Sequence, residues 1–399
     1  MKRSTFIRLA LGASATMGAG LPSLAPAISR GEPTAEVPPL AKNRSLQLEI
    51  ERSIEKGLAF LKSRQDPAGF WSSADYPALS GLVLLSFVNE PSGAIKTKQP
   101  DFVEKGYGYL MSCVKPDGGI YGKVLANYNT SVVVLALNAA DPEKYGDTLR
   151  KARAFLVGQQ NFYPRQDGKM NPYEGGIGYG DDGPHSDVSN TAFALEALRE
   201  TRAVMEGHDV AAANDLNWDA ALAFLQRCQN LPKANAQPWV TGDPKNLGGF
   251  IYTPIAGDNH AEDDMDGKKV PRSYGSMSYS GLLSYIYADL KKDDPRVTAV
   301  YDWLGRNYTV EENPGLGHSG LFYYYHAMSK ALSTYGADTL ALAGGKSANW
   351  RHDLALKLID LQASEGSWVN AHSGRWWEKD PVLVTSYAVR ALEMMHAGV

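Results

Sequence analysis

The chain has 399 residues, 44% of them hydrophobic, which is enough to bury a large core. A formal net charge of −4 leaves no overall basic field, so nucleic acid is not expected as a partner. Aromatic residues make up 10% of the chain, with 21 tyrosines, a content that suits either a ring-lined cavity or ordinary helix packing.

At the N-terminus, Lys2, Arg3 and Arg8 precede an apolar run of small residues, and Ala25-Pro26-Ala27 offers a cleavage site. Residues 1–27 therefore read as an export signal, with a periplasmic or cell-envelope destination expected. The run from Arg3 to Arg8 is similar to a twin-arginine signal whose second Arg is Ser4; an uncleaved anchor is the alternative. No later stretch approaches the roughly 18 apolar residues of a spanning helix, so no transmembrane span is expected after signal removal. Residues 28–47 read as a linker and residues 48–399 as one domain.

That domain is built from repeats. In KGLAFLKSRQDPAGFW, from Lys56 to Trp71, Ala59, Phe60 and Leu61 close an amphipathic helix that ends at Gln65. Pro67 blocks its continuation, and Gly69 permits the turn that lays Trp71 back over it. Related segments follow at Lys105–Gly122, at Phe155–Gln160, at Phe224–Gln229 and, more weakly, at Trp303–Gly315. The last copy restores the spacing as Gln362, Gly366 and Trp368. After each glycine turn a second apolar helix is expected, beginning near Ser80, Asn129-Thr130, Asn190-Thr191 and Thr385, whose side chains suit N-caps. Six helix–turn–helix units make an all-α two-layer array. Cys113 and Cys228 occupy equivalent places in different repeats, so buried free thiols are expected.

Lys56-Gly57, Phe60-Leu61, Gln65, Gly69 and Trp71 match the QW motif, and Gln362, Gly366 and Trp368 match its second half. On these residues the chain resembles the terpenoid cyclase/protein prenyltransferase superfamily from about residue 48 to the end. The resemblance implies a closed α/α toroid, with six outer helices around six inner ones and a cavity at the inner-helix ends. The QW residues themselves have a structural role: the Gln bonds free backbone groups and the Trp ring covers the turn.

Cyclases of this kind carry an Asp-x-Asp-Asp-Thr-Ala motif whose central Asp protonates an alkene or epoxide. Here Asp187, Val188, Thr191 and Ala192 match, while Ser189 and Asn190 replace the two later carboxyl groups. Neither a hydroxyl nor an amide is acidic enough for that step. Other candidate acids are Asp264 and Asp266 in HAEDDMDGKK; the same segment also reads as a solvated loop, or as half a calcium loop lacking its closing Glu, since Ser273 stands there. The zinc positions of prenyltransferases fall near Tyr274, Ser276 and Tyr323. His326 is close by, but no Cys accompanies it, so no metal and no cofactor is predicted. His185 lies near Asp181, Asp182 and Asp187. The chain holds no Gly-x-Ser-x-Gly elbow, Walker loop, His-Glu-x-x-His or thioester motif.

Candidate cavity residues are Ser189, Asn190, Tyr274, Tyr279, Tyr323, His326 and Tyr387, with Tyr285, Tyr324 and Tyr325 also near inner helices. Three functions stay open. One is an exported cyclase-like protein that binds or modifies an isoprenoid or triterpenoid. Another is a non-catalytic binding module for an envelope component. The third is a glycan-active toroid using paired carboxylates such as Asp182 and Asp264.

Overall fold

The structure is a computed structural model that describes residues 43–164, 169–180, 185–207, 215–265 and 268–399. The expected signal and residues 28–42 of the expected linker lie outside these residues. The first helix, α1 (Arg44–Ser63), starts inside the stretch read as linker because Asn43 Oδ1 accepts from Leu46 N at 3.2 Å and caps it.

Next come α2 (Pro77–Val88), the short α3 (Ala94–Thr97), α4 (Asp101–Ser112), α5 (Ala126–Ala140), α6 (Gly146–Gly158) and α7 (Val188–Glu200). They are followed by α8 (Trp218–Cys228), α9 (Gly275–Tyr287), α10 (Pro295–Arg306), α11 (Leu321–Tyr335), α12 (Trp350–Leu361) and α13 (Pro381–His396). The acidic segment expected as a loop forms an antiparallel hairpin, β1 (Glu262–Met265) with β2 (Lys268–Pro271), which pairs Asp264 with Lys269.

The helices fall into two kinds. In α1 only one stripe is buried, through Leu46, Ile50, Ile54, Gly57, Phe60 and Leu61. In α2 every residue is buried, the signature of a helix enclosed on all sides. The enclosed helices α2, α5, α7, α9, α11 and α13 each pack on the next, and α13 packs back on α2. Outside them, α4 lies on α2, α6 on α5, α8 and α10 on α9, and α12 and α1 on α13. The architecture is a closed α/α toroid. Both cysteines are buried and free.

Closure is visible atom by atom. Gln65 Nε2 donates to Gly69 O at 3.0 Å within its own turn and to Phe102 O of α4, the next outer helix, at 2.8 Å. Gln160 and Gln229 likewise tie their own turns to Asn217 O and Arg296 O. Gln362 repeats this with Gly366 O at 3.0 Å, and its outer partner is Ser53 O of α1 at 2.9 Å. Ser53 Oγ returns a bond to Gln362 Oε1 at 2.8 Å, joining the last repeat to the first. Each Trp seals its turn: Trp71 Nε1 donates to Leu61 O and Trp368 Nε1 to Leu358 O, both at 2.7 Å.

The hydroxyls expected to be N-caps do something else. Ser80, Thr130, Thr191 and Thr385 sit inside the first turns of their helices. Their oxygens accept from the backbone N–H of Trp71, Ile120, Ile177 and Trp368 at 2.9–3.0 Å. They fasten the turn to the inner helix rather than starting that helix.

Two glycines make ring closure possible. Gly366 has φ +96°, and a Cβ there would lie 2.4 Å from Lys56 O; at Gly57 a Cβ would lie 3.0 Å from Trp368 Cζ3. Gly366→Ala is expected to destabilise the fold by about 1–3 kcal/mol or more, through left-handed strain and separation of α12's turn from α1. Urea unfolding should show a lower midpoint with an unchanged slope; an unchanged midpoint would contradict this account of closure.

Candidate functional site

A cavity of about 380 Å³ opens at the N-terminal ends of the inner helices, within the usual size range for a small-molecule site. Six helix N-termini converging there concentrate free N–H groups and positive dipole ends, which normally favour an anion. In this protein side chains and backbone of the chain itself take up these positions.

Asn129 Oδ1 accepts from Ala78 N of α2 at 2.9 Å, and Tyr179 O accepts from Asn127 N of α5 at 2.9 Å. Asp187 Oδ1 caps α7 through Asn190 N at 2.8 Å, and Asn313 Oδ1 caps α9 through Ser276 N at 3.0 Å. Glu378 Oε1 accepts from Phe322 N and Tyr323 N of α11, each at 2.9 Å, and Asp380 Oδ1 accepts from Val382 N of α13 at 2.8 Å. A ligand phosphate would find these donors occupied.

Asp187 is fully buried and does not line the cavity. Its Oδ1 also accepts from Ser189 Oγ at 2.7 Å, and its Oδ2 from Asn190 Nδ2 at 2.8 Å, with His185 Nδ1 at 3.8 Å. Burial pushes its carboxyl above the ordinary range, while the bonds from Asn190 and Ser189 and the His185 ring pull the other way. Ser189 and Asn190, the replacements in the Asp-x-Asp-Asp pattern, do face the cavity.

Tyr274, Tyr323 and Tyr387 also line it, and Ser276 stands beside them. Tyr279 does not: it is buried against Tyr324, ring centroids 5.7 Å apart. Tyr285 points outward to Gln229 Oε1, and Tyr324 and Tyr325 bond the carbonyls of Thr309 and Val310. His326 lies below the main cavity, stacked on Tyr387 at 5.3 Å, with burial holding its imidazole well below the usual range. Asp181, Asp182 and Asp266, and the side chain of Asp264, lie outside the described residues. Among the described residues no group of three His, Cys, Asp or Glu is placed to hold a metal ion, and no helix is long and apolar enough to cross a membrane.

Several lining residues escaped the sequence reading. Trp376 and Trp377 stand at the mouth, 39% and 47% exposed, with left-handed φ values of 53° and 66°. Leu125, at φ 57°, lines the same cavity, so backbone strain gathers at its edge. Trp377 meets Tyr76 edge-on at 4.6 Å, and Trp376 meets His260 at 5.1 Å. Glu378 follows directly, almost fully buried, with Asn370 Nδ2 bonded to its Oε2 at 2.6 Å. Burial raises its carboxyl while Asn370 and the α11 amides oppose the shift. Burial likewise holds the phenols of Tyr128, Tyr252, Tyr274, Tyr323 and Tyr387 above the ordinary tyrosine range, so they act as neutral hydroxyls.

No protein-family model matches the chain, and no curated protein matches it. Solved structures do. A variant of the type II terpene cyclase MstE from Scytonema, in complex with geranylgeranyl dihydroxybenzoate, superposes with a TM-score of 0.52 at 13% identity, over 90% of this chain and 100% of that one. An alpha-1,6-mannanase from Salegentibacter sp. superposes with a TM-score of 0.52 at 11% identity, over 88% and 100%. The shared property is the α/α toroid fold.

His260 supplies a pH test. Burial first, then the nearby Arg375 and His185, lowers its pKa from 6.5 to about 4. The unfolded chain therefore takes up this proton first as pH falls, so stability present above 6.5 is lost between about 6.5 and 4. His260→Gln should flatten that part of the stability profile, measured by urea unfolding at both ends of the window. An equally steep profile would exclude His260 as its source.

Proposed function

We propose that the protein binds a long, neutral, apolar ligand of the isoprenoid class in this cavity and does not protonate it from the head of α7. The observation that carries the reading is the local chemistry there. The place of the cyclase acid is a serine hydroxyl, and that hydroxyl donates to Asp187. Asp187 is itself enclosed and committed to capping. A hydroxyl with an ordinary acidity far below that of a carboxyl leaves an alkene unprotonated.

The cavity walls support an apolar occupant. They are mostly aromatic and aliphatic side chains, with the tyrosine phenols neutral and at least one N–H at each inner-helix end bonded from within. Apolar burial against such rings supplies the binding energy, roughly 25 cal/mol per Å² of surface removed from water. The fold likeness to a terpene cyclase holding a geranylgeranyl compound points the same way. The likeness to a mannanase favours a sugar instead, and aromatic rings stack on sugars as well. Sugar binding needs many polar partners, and the carboxylate lining this cavity, Glu378, is bonded to the chain's own amides, as is Asp187 buried behind the lining. Residues 1–27 support an exported, envelope-side setting for such a lipid.

Trp376 and Trp377 give a direct readout because both line the cavity. Their fluorescence should change saturably on titration with geranylgeraniol and stay unchanged with alpha-1,6-mannotriose. Saturation by the sugar alone would overturn the proposal. Trp377→Ala should weaken geranylgeraniol binding about tenfold, the loss of one half-buried ring contact. Its melting temperature should change little, since the ring is half exposed.

A further inference from the structure

The bottom of the cavity is made by four rings from four inner helices. Tyr128 of α5 meets Phe193 of α7 edge-on at 5.0 Å, Phe193 lies 6.2 Å from Tyr323 of α11, and Tyr323 lies 5.9 Å from Tyr387 of α13. The circuit closes where the Tyr128 and Tyr387 hydroxyls stand 3.4 Å apart. Tyr323 is held from the side by Ser280, hydroxyl to hydroxyl at 3.1 Å. Phe193 alone among the four has no hydrogen bond to anchor its ring.

Beneath this floor is a second, smaller cavity of about 20 Å³ between α7, α9 and α11. Phe193 and Tyr323 line both spaces. The lower one is bounded by Ala192, Leu283 and Ala327 and ends on the Glu196–Lys330 ion pair and His326. Two ring side chains therefore divide one passage along the toroid axis into a large apolar chamber and a small chamber with a charged end.

We propose that Phe193 sets the length of chain the cavity accepts, because it is the unanchored part of the wall between the two chambers. This rests on the isoprenoid reading above. With the ring in place, the tip of an apolar chain stops at the floor, and the ion pair beneath keeps its polar surroundings. Without the ring, the phenyl volume and the lower chamber join the main cavity, an extension comparable to one isoprene unit. The passage also lies between helices whose backbones are fixed by ring closure, so extra length is gained by removing a side chain and not by spreading the helices.

The test compares wild type, Phe193→Ala and Phe193→Leu against geraniol, farnesol, geranylgeraniol and squalene, read by tryptophan fluorescence. Circular dichroism and thermal melting establish that each variant is folded. In Phe193→Ala the longest chain that saturates should move up the series. Phe193→Leu, closer in volume to the native residue, should show a tenfold or smaller gain for the first chain that wild type rejects. Should the Ala variant not fold, the Leu variant decides. An unchanged length limit in a folded variant, with wild type binding the shorter chains, overturns this inference alone. Binding of no chain by any of the proteins overturns the isoprenoid reading and this inference with it.

Discussion

Gln65, Gln160, Gln229 and Gln362 each hold two carbonyls through the side-chain amide, one in the glutamine's own turn and one on or at the cap of the next outer helix. This bond ties successive repeats together, and the Gln362–Ser53 pair applies it across the chain ends. Closure then has a consequence that an open array lacks. All six inner helices present their N-termini to one enclosed region, where unsatisfied N–H groups would be costly and their dipoles would add.

The protein resolves this with its own acceptors. Asp187, Asp380 and Glu378 supply carboxylates, Asn129 and Asn313 supply amides, and the Tyr179 carbonyl serves α5. The same groups decide what the cavity can do. Asp187 and Glu378 bond their oxygens to the chain's own amides, and a helix end bonded in this way is a poor anion site. Most of the cavity surface that is left is aromatic and aliphatic, with the unpaired Asn190 Oδ1 as a polar exception, and that surface is the basis of the proposed apolar ligand.

The ring was legible in the sequence because its hardware is local. Gln65, Gly69 and Trp71 act within seven residues, and their copies recur with the period of the repeat. The partner of each Gln was less legible: it lies on the next outer helix, a tertiary neighbour that spacing within one repeat does not specify. The inner-helix tyrosines were hardest to orient. In a helix buried all round, such as α2, hydrophobic periodicity carries no direction, so nothing in the pattern separated Tyr323, which faces the cavity, from Tyr324 and Tyr325, which do not. Trp376, Trp377 and Glu378 were missed for a different reason. They belong to the segment between Trp368 and α13, and the segments at that place differ in length and sequence from repeat to repeat, as the longer one between Phe250 and α9 shows. The signal available there was the Trp-Trp-Glu triplet itself, two large rings beside a carboxyl directly ahead of an inner helix.

The central claim is that the head of α7 accommodates an alkene without donating a proton to it. Incubating the full protein with geranylgeraniol in deuterium oxide, then extracting and analysing the lipid by mass spectrometry, tests this most directly. The account predicts that the prenol returns uncyclised and without carbon-bound deuterium. A cyclised product carrying deuterium on carbon, formed only when the protein is present, would contradict it.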